Sequence, residues 1–114
     1  QIHGGVVQGL GQVMMEDLVY DDQNGQLLTG SFMDYAMPRA EDFCLFEVTA
    51  NEIPTETNPI GAKGAGEAGT VGSIACAMNA IMDALKPLGI RHIDLPATPQ
   101  KLWRAIEEAR GSLN

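Results

Sequence analysis

Apolar residues recur every three or four positions in three stretches of the chain, and this spacing predicts helices. The first stretch covers residues 3–17, and its apolar positions are Val6, Val7, Leu10, Val13 and Met14. In the second stretch the apolar positions are Val71, Ile74, Ala75, Met78, Met82 and Leu85. The third begins at Pro99, and its apolar face comprises Leu102, Trp103 and Ile106.

The first predicted helix is rich in glycine, with Gly4, Gly5, Gly9 and Gly11 inside it. Each glycine inside a helix costs about 1 kcal/mol relative to alanine. Packing against another element must therefore hold this helix. Its bare faces also allow a backbone or a ligand to approach closely.

Strand candidates lie between the predicted helices. Residues 18–29 contain two short apolar runs around Asn24-Gly25, the preferred pair for a tight type I′ turn, and so predict a β-hairpin. Residues 43–53 alternate well enough for a further strand, and residues 90–95 are a short strand candidate. We therefore predict a small single α+β domain, with a hairpin and mixed strands packed against two or three helices.

The composition is typical of a soluble globular protein, since 45% of the 114 residues are hydrophobic and 19% are charged. The formal charge of −8 argues against nucleic-acid binding, which needs clustered Lys and Arg. No run approaches the roughly 20 apolar residues of a membrane helix, so no membrane span is expected. Cys44 and Cys76 lack the spacing of a disulfide framework or a metal site, which predicts two buried, reduced thiols, a cytoplasmic location and no metal ligands.

Residues 58–70 (NPIGAKGAGEAGT) combine four of the thirteen glycines with one carboxylate, that of Glu67, directly before the second predicted helix. Glycine lets backbone amides approach a ligand closely, and amides at a helix start favour anions. Glu67 is therefore either a base held beside a cofactor or an ordinary acid at a helix start. Residue type and position alone leave both interpretations open and favour the second.

Residues 64–69 (GAGEAG) match the G-x-G-x-x-G fingerprint of dinucleotide-binding proteins, so NAD binding is one hypothesis. The fingerprint must follow a parallel strand, whereas Pro59, just upstream, fits a central strand poorly. Asp83, near the distance of a ribose-binding acid, falls inside the second predicted helix and not at the end of a strand. NAD binding is therefore the weaker hypothesis.

Residues 64–67 (GAGE), preceded by residues 58–63 (NPIGAK), resemble the catalytic G-x-G-E segment of the molybdenum hydroxylase large subunits. This family contains xanthine dehydrogenases, aldehyde oxidoreductases and carbon monoxide dehydrogenases. Residues 1–12 (QIHGGVVQGLGQ) resemble its cofactor-contacting Q-x-x-G-x-x-x-Q-G-x-G segment. Residues 28–38 resemble its linking region and residues 94–106 its C-terminus, so the resemblance covers nearly all of the chain in order.

The resemblance implies that residues 1–114 are the C-terminal portion of the molybdopterin-binding domain of such a large subunit. It implies a molybdenum–molybdopterin cytosine dinucleotide cofactor, with 2Fe–2S clusters and FAD on partner subunits or domains. The implied reaction is hydroxylation of an aldehyde, an N-heterocycle or a related small molecule, with water as the oxygen source and Glu67 as general base. The implied cofactor contacts are Gln1, Gln8, Lys63, Gly64, Ala65 and Gly66.

A hypothesis of a different class is a non-catalytic one, in which the chain is a folded fragment or a subunit-interaction module that lacks cofactor on its own. Because the chain begins with Gln1 and not Met, we expect it to be a piece of a longer polypeptide. Alone, it is expected neither to retain cofactor nor to turn over substrate, and to self-associate through uncovered apolar surface. The enzyme hypothesis predicts that Glu67 is partly buried and faces a cavity lined by Gln1 and the glycine run.

Overall fold

The computed structural model describes residues 1–111, which form three α-helices joined by long irregular segments. Helix α1 comprises Ile2–Met14, helix α2 Ala68–Leu85 and helix α3 Pro99–Gly111. Two short 3-10 turns, Ala40–Asp42 and Lys86–Leu88, lie between them. The three helices predicted from the apolar periodicity are therefore present.

The predicted α+β fold is wrong, because residues 1–111 contain no strand and no sheet. The one β-type pairing in this part of the chain is an isolated antiparallel bridge between Tyr20 and Leu27. Residues 43–53 and 90–95 are irregular and form no β-pairing with any other described segment. An alternating pattern shows only that a segment suits a sheet, and a strand also needs a neighbour to satisfy its backbone groups.

The predicted type I′ turn at Asn24-Gly25 is also wrong. Such a turn needs positive φ at both central residues, whereas only Gly25 is positive here, at +72°. The carboxylate of Asp21 instead accepts hydrogen bonds from the N–H groups of Gln23 (2.9 Å) and Asn24 (3.0 Å). These bonds reverse the chain direction over a wider loop, so the flanking segments meet at a single bridge and no hairpin forms.

Helices α1 and α2 pack against each other through small residues. A Cβ atom at Gly69 would lie 2.7 Å from the carbonyl oxygen of Ile2, and one at Gly9 would collide with the hydroxyl of Ser73. Gly9, Gly69 and Ser73 are all buried at this contact. The glycines that weaken α1 as an isolated helix therefore permit the close packing that holds it.

The described chain is open and buries little apolar surface on its own. Its buried hydrophobic residues are Val13, Leu85 and Ala97. The N–H of Ala97 donates to the carbonyl of Val13 over 2.6 Å, which ties the approach to α3 to the end of α1. The radius of gyration is 18.4 Å, whereas a compact domain of this length has a radius of about 13 Å.

Helix α2 and the 3-10 turn behind it form a continuous segment, Ala68–Leu88, that is long and apolar enough to cross a membrane. It has 21 residues, and its most apolar 18-residue window has a mean hydropathy of 1.3 and is 17% buried. By length and composition it therefore departs from the expectation of no such segment. One helix of this kind is weak support for a span, because core helices of water-soluble proteins have the same properties, and one face of α2 packs on α1.

Candidate active site around Glu67

Glu67 occupies the N-cap position of α2, with φ of −109° and ψ of 0°. Its carbonyl oxygen accepts a hydrogen bond from the N–H of Val71 over 3.0 Å, which fixes its backbone to the first turn of the helix. Its side chain makes no capping bond. Within residues 1–111 the carboxylate has no hydrogen-bond or ion-pair partner.

The loop that leads to Glu67 is braced by Asn58. The Nδ2 atom of Asn58 donates to the carbonyl of Ala62 (2.9 Å), and its Oδ1 atom accepts from the N–H of the same residue (3.1 Å). Gly61 lies inside this ring with φ of +67°, a conformation that strains other residue types. Sequence reasoning missed this role of Asn58, although Asn side chains commonly hydrogen-bond to nearby backbone groups in turns.

Gln1 contacts the glycine run directly. Its Nε2 atom donates a hydrogen bond to the carbonyl oxygen of Gly66 over 2.8 Å, across 65 residues of sequence. Gly66 immediately precedes Glu67. The structure thus brings together two of the segments that the sequence singled out, with the side chain of Gln1 on the peptide that leads into Glu67.

A second bond joins the same two helices one turn further on. The Oγ1 atom of Thr70 donates to the carbonyl of Gly5 over 3.0 Å, again between residues 65 apart. The second bond lies four residues after the first in both segments, so α1 and α2 run parallel with their first turns side by side. Thr70 was not predicted as a functional residue, and its sequence context carries no signal for this contact.

The other predicted cofactor-contacting residues are exposed. Residues 63–66 (Lys63, Gly64, Ala65 and Gly66) lie at the surface, and a Cβ at Gly64 or Gly66 would meet nothing within 4 Å. The backbone N–H groups of these four residues have no acceptor in the described chain. Gln8 is exposed on α1, about two turns beyond Gln1, and its side chain makes no hydrogen bond within residues 1–111.

The expectation that Glu67 is partly buried is wrong for residues 1–111, in which its side chain is exposed. No segment of the described chain covers residues 62–68. An apolar groove of about 620 Å³ begins one residue later, at Ala68. It runs between α1 and α2, and its floor includes Ile2, Val6 and Gly72. Neither Gln1 nor Glu67 lines this groove, although each directly precedes a residue that does, Ile2 and Ala68 respectively.

Comparison with known proteins places this geometry in a family. Residues 1–44 match the model described as the molybdopterin cofactor-binding domain. The chain is 45% identical over 107 residues to the nicotine 6-hydroxylase large subunit of Paenarthrobacter nicotinovorans, covering 94% of this chain and 13% of that protein. It is 37% identical over 108 residues to the carbon monoxide dehydrogenase large chain of Hydrogenophaga pseudoflava, covering 95% of this chain and 13% of that protein.

Solved structures agree. The crystal structure of the Cu,Mo-CO dehydrogenase superposes with a TM-score of 0.89 at 36% identity, covering 96% of this chain and 14% of that chain. This chain belongs to the molybdenum hydroxylase large-subunit family. The quinoline 2-oxidoreductase of Pseudomonas putida 86 superposes with a TM-score of 0.86 at 36% identity, covering 94% of this chain and 14% of that chain. The molybdenum hydroxylase segment thus spans about one seventh of the length of these relatives.

The exposed residues of this molybdenum hydroxylase segment fit a bulky anionic cofactor. The space beside Gly64 and Gly66 admits a large group, and the unpaired N–H groups of residues 63–66 can donate to phosphate or pterin oxygens. The strand that a dinucleotide fingerprint of the NAD type must follow is missing from residues 1–111. The glycine run is therefore suited to a cofactor that it contacts from one side and does not enclose.

Proposed function

We propose that this chain supplies the general base and part of the cofactor-binding surface of a molybdenum-dependent hydroxylase. The observation that carries the proposal is Glu67, a carboxylate without a partner in the described chain, beside the unpaired amides of residues 63–66 and the side chain of Gln1. A carboxylate with free lone pairs can accept a proton. Unpaired amides beside it can hold an anionic group in reach.

The reaction converts a substrate C–H bond and water into a C–OH bond, two electrons and two protons. Glu67 accepts one of these protons at a carboxylate oxygen as the oxygen of water adds to the substrate carbon. When bound, the molybdenum cofactor supplies the centre that receives the two electrons. The substrate is an aldehyde, an N-heterocycle or a related small molecule, and the groove that begins at Ala68 offers it an apolar wall.

The cofactor in this proposal is molybdenum–molybdopterin cytosine dinucleotide. The exposed backbone of Lys63, Gly64, Ala65 and Gly66 contacts it through N–H donors, and the side chain of Lys63 adds a positive charge. Gln1 lies beside this surface, where its Nε2 atom is held by the carbonyl of Gly66. Gln8, further along α1, contacts a more distant part of the cofactor.

The proposed partners follow from the openness of the chain. The rest of the large subunit covers the exposed apolar side chains and completes the cofactor site. In this proposal, 2Fe–2S clusters and FAD on partner subunits or domains would accept the electrons. Cys44 and Cys76 are free, which suits a reducing compartment, and we place the enzyme in the cytoplasm. Both thiols are exposed in the described chain, so the prediction that they are buried is wrong.

The test is a Glu67→Gln substitution in the complete large subunit, produced together with its partner subunits. Removing a general base lowers turnover by about 10²- to 10⁴-fold. We expect a loss of this size in dye-linked oxidation of an aldehyde or N-heterocycle panel, with the molybdenum content unchanged. Glu56→Gln is the matched control, because Glu56 is exposed in the same irregular segment and has no partner in the described chain.

The alternative function is that of a non-catalytic interaction module, favoured by the large exposed apolar surface. In that case Glu67→Gln leaves turnover within twofold of the parent enzyme, as Glu56→Gln does. A loss of molybdenum together with turnover would instead assign Glu67 to cofactor retention. Each of these two results contradicts the general-base proposal.

A further inference from the structure

The carbonyl of Gly66 is the point where α1 reaches the residue before Glu67. In the described chain this oxygen receives one hydrogen bond, from the Nε2 atom of Gln1. The neighbouring support is weak, since the N–H of Ala68 reaches the carbonyl of Ala65 over 3.3 Å. Gly66 has no side chain and no neighbour near its Cβ position, so packing does not hold it.

The backbone around Glu67 is therefore tied to α1 at two points. Gln1 holds residue 66 on one side, and the hydroxyl of Thr70 holds the first turn of α2 to Gly5 on the other. The close contact at Gly69, where a Cβ would lie 2.8 Å from the N–H nitrogen of Val6, prevents α2 from sliding between these points.

We infer that Gln1 is a positioning residue for Glu67 and acts through the Gly66 carbonyl. This inference rests on the proposed function, because it matters for catalysis only if Glu67 reacts. The hydrogen bond from Gln1 to the Gly66 carbonyl holds the peptide between residues 66 and 67 in one orientation, and the side chain of Glu67 then projects from the helix start in a fixed direction. Without it, rotation at Gly66 lets the peptide turn, and misplacement of a reacting group by about 1 Å costs about 100-fold in rate.

The inference differs from a direct cofactor contact in a measurable way. A residue that acts only through Glu67 has no effect once Glu67 has lost its function, whereas a residue that binds the cofactor has the same effect with or without it. A double-mutant cycle in the complete enzyme separates the two cases. The cycle uses Gln1→Leu, which removes the donor at similar side-chain size, Glu67→Gln and the combination of both.

We expect Gln1→Leu to lower kcat by about 10- to 100-fold, with KM within twofold and molybdenum content unchanged. In the Glu67→Gln background the same substitution lowers kcat by less than twofold. Gln12→Leu is the matched control on α1, because the side chain of Gln12 is exposed and makes no hydrogen bond in the described chain. Equal effects of Gln1→Leu in both backgrounds, or a loss of molybdenum, would overturn the inference.

A second measurement does not depend on turnover. Hydrogen exchange of a peptide covering residues 68–76, in which the amides from Val71 onward donate hydrogen bonds within the first turns of α2, should be faster in Gln1→Leu and unchanged in Gln12→Leu when followed by mass spectrometry in the cofactor-free complex. Thr70→Val should also accelerate it, and Thr70→Ser, which keeps the hydroxyl donor, should restore the parent rate. Unchanged exchange in Gln1→Leu refutes the positioning role. A Glu67→Gln enzyme with normal kcat refutes the proposed function, and the exchange data then still decide whether Gln1 holds Gly66.

Discussion

The close contact of α1 and α2 predicts opposite effects for two Gly→Ala substitutions three residues apart on α2. At Gly69 the new Cβ would lie 2.7 Å from the carbonyl oxygen of Ile2 and 2.8 Å from the backbone nitrogen of Val6. Both are backbone atoms, which cannot rotate away. At Gly72 the new Cβ would meet nothing within 4 Å. The two substitutions therefore share their chemistry and differ only in the space available.

The two substitutions should change the stability of the α1–α2 contact in opposite directions. Inserting a methyl group into a packed contact costs about 1–3 kcal/mol, whereas replacing glycine by alanine inside a helix contributes about 1 kcal/mol. Gly69 is the second residue of α2, where this propensity gain is smaller, so Gly69→Ala should be destabilising by about 1–2 kcal/mol. Gly72→Ala carries only the gain, up to about 1 kcal/mol.

Hydrogen exchange of peptides from α1 and α2 in the complete large subunit measures both effects locally. We expect exchange about 5- to 30-fold faster in Gly69→Ala and up to about 5-fold slower in Gly72→Ala. Parent-like protection of α1 in Gly69→Ala would refute the packing described here. So would an equal loss of protection in the two variants, since the space at Gly72 could then not be open.

Three further predictions concern the loop before Glu67, the irregular segment after α1, and the isolated chain. Asn58→Ala removes two hydrogen bonds, together about 1–2 kcal/mol, and should accelerate tryptic cleavage after Lys63, with Asn58→Asp, which keeps the acceptor, intermediate. The 2.6 Å hydrogen bond from the Tyr35 hydroxyl to Glu16 raises the pKa of Tyr35. The stability that this bond gives the folded chain is therefore fully present below a pH of about 10 and is lost as the pH rises through the raised pKa of Tyr35. In Glu16→Gln, alkaline absorbance titration should show a lower pKa for Tyr35. The isolated 114-residue chain should contain no molybdenum and should self-associate in sedimentation velocity, and a monomer with stoichiometric metal would contradict this.

Helices could be predicted from this sequence and the sheet could not, for a physical reason. A helix satisfies its backbone groups within one segment, so the spacing of Val71, Ile74 and Met78 was enough to locate α2. A strand depends on a partner that the pattern does not identify. No other described segment forms a β-ladder with residues 43–53, so this segment is irregular despite its alternating pattern.

The site could be predicted as a set of segments but not as a geometry. The motif resemblance selected Gln1 and the run ending at Glu67, which the structure places side by side. The parallel register of α1 and α2 depends on a three-dimensional fit between Gly9, Gly69 and Ser73 that no linear spacing encodes. Burial of Glu67 could not be predicted either, because it depends on whatever covers residues 62–68.

The geometry also bears on the two interpretations of Glu67 that residue type left open. An ordinary acid at a helix start stabilises the helix mainly by accepting a hydrogen bond from the first free N–H groups. Glu67 makes no such bond, so what remains of that role is its interaction with the helix dipole, about 0.3–1 kcal/mol at an exposed site. A contribution of this size leaves a Glu67→Gln enzyme folded, while the loss of a base lowers turnover by about 10²- to 10⁴-fold. The two roles therefore predict different outcomes of one substitution.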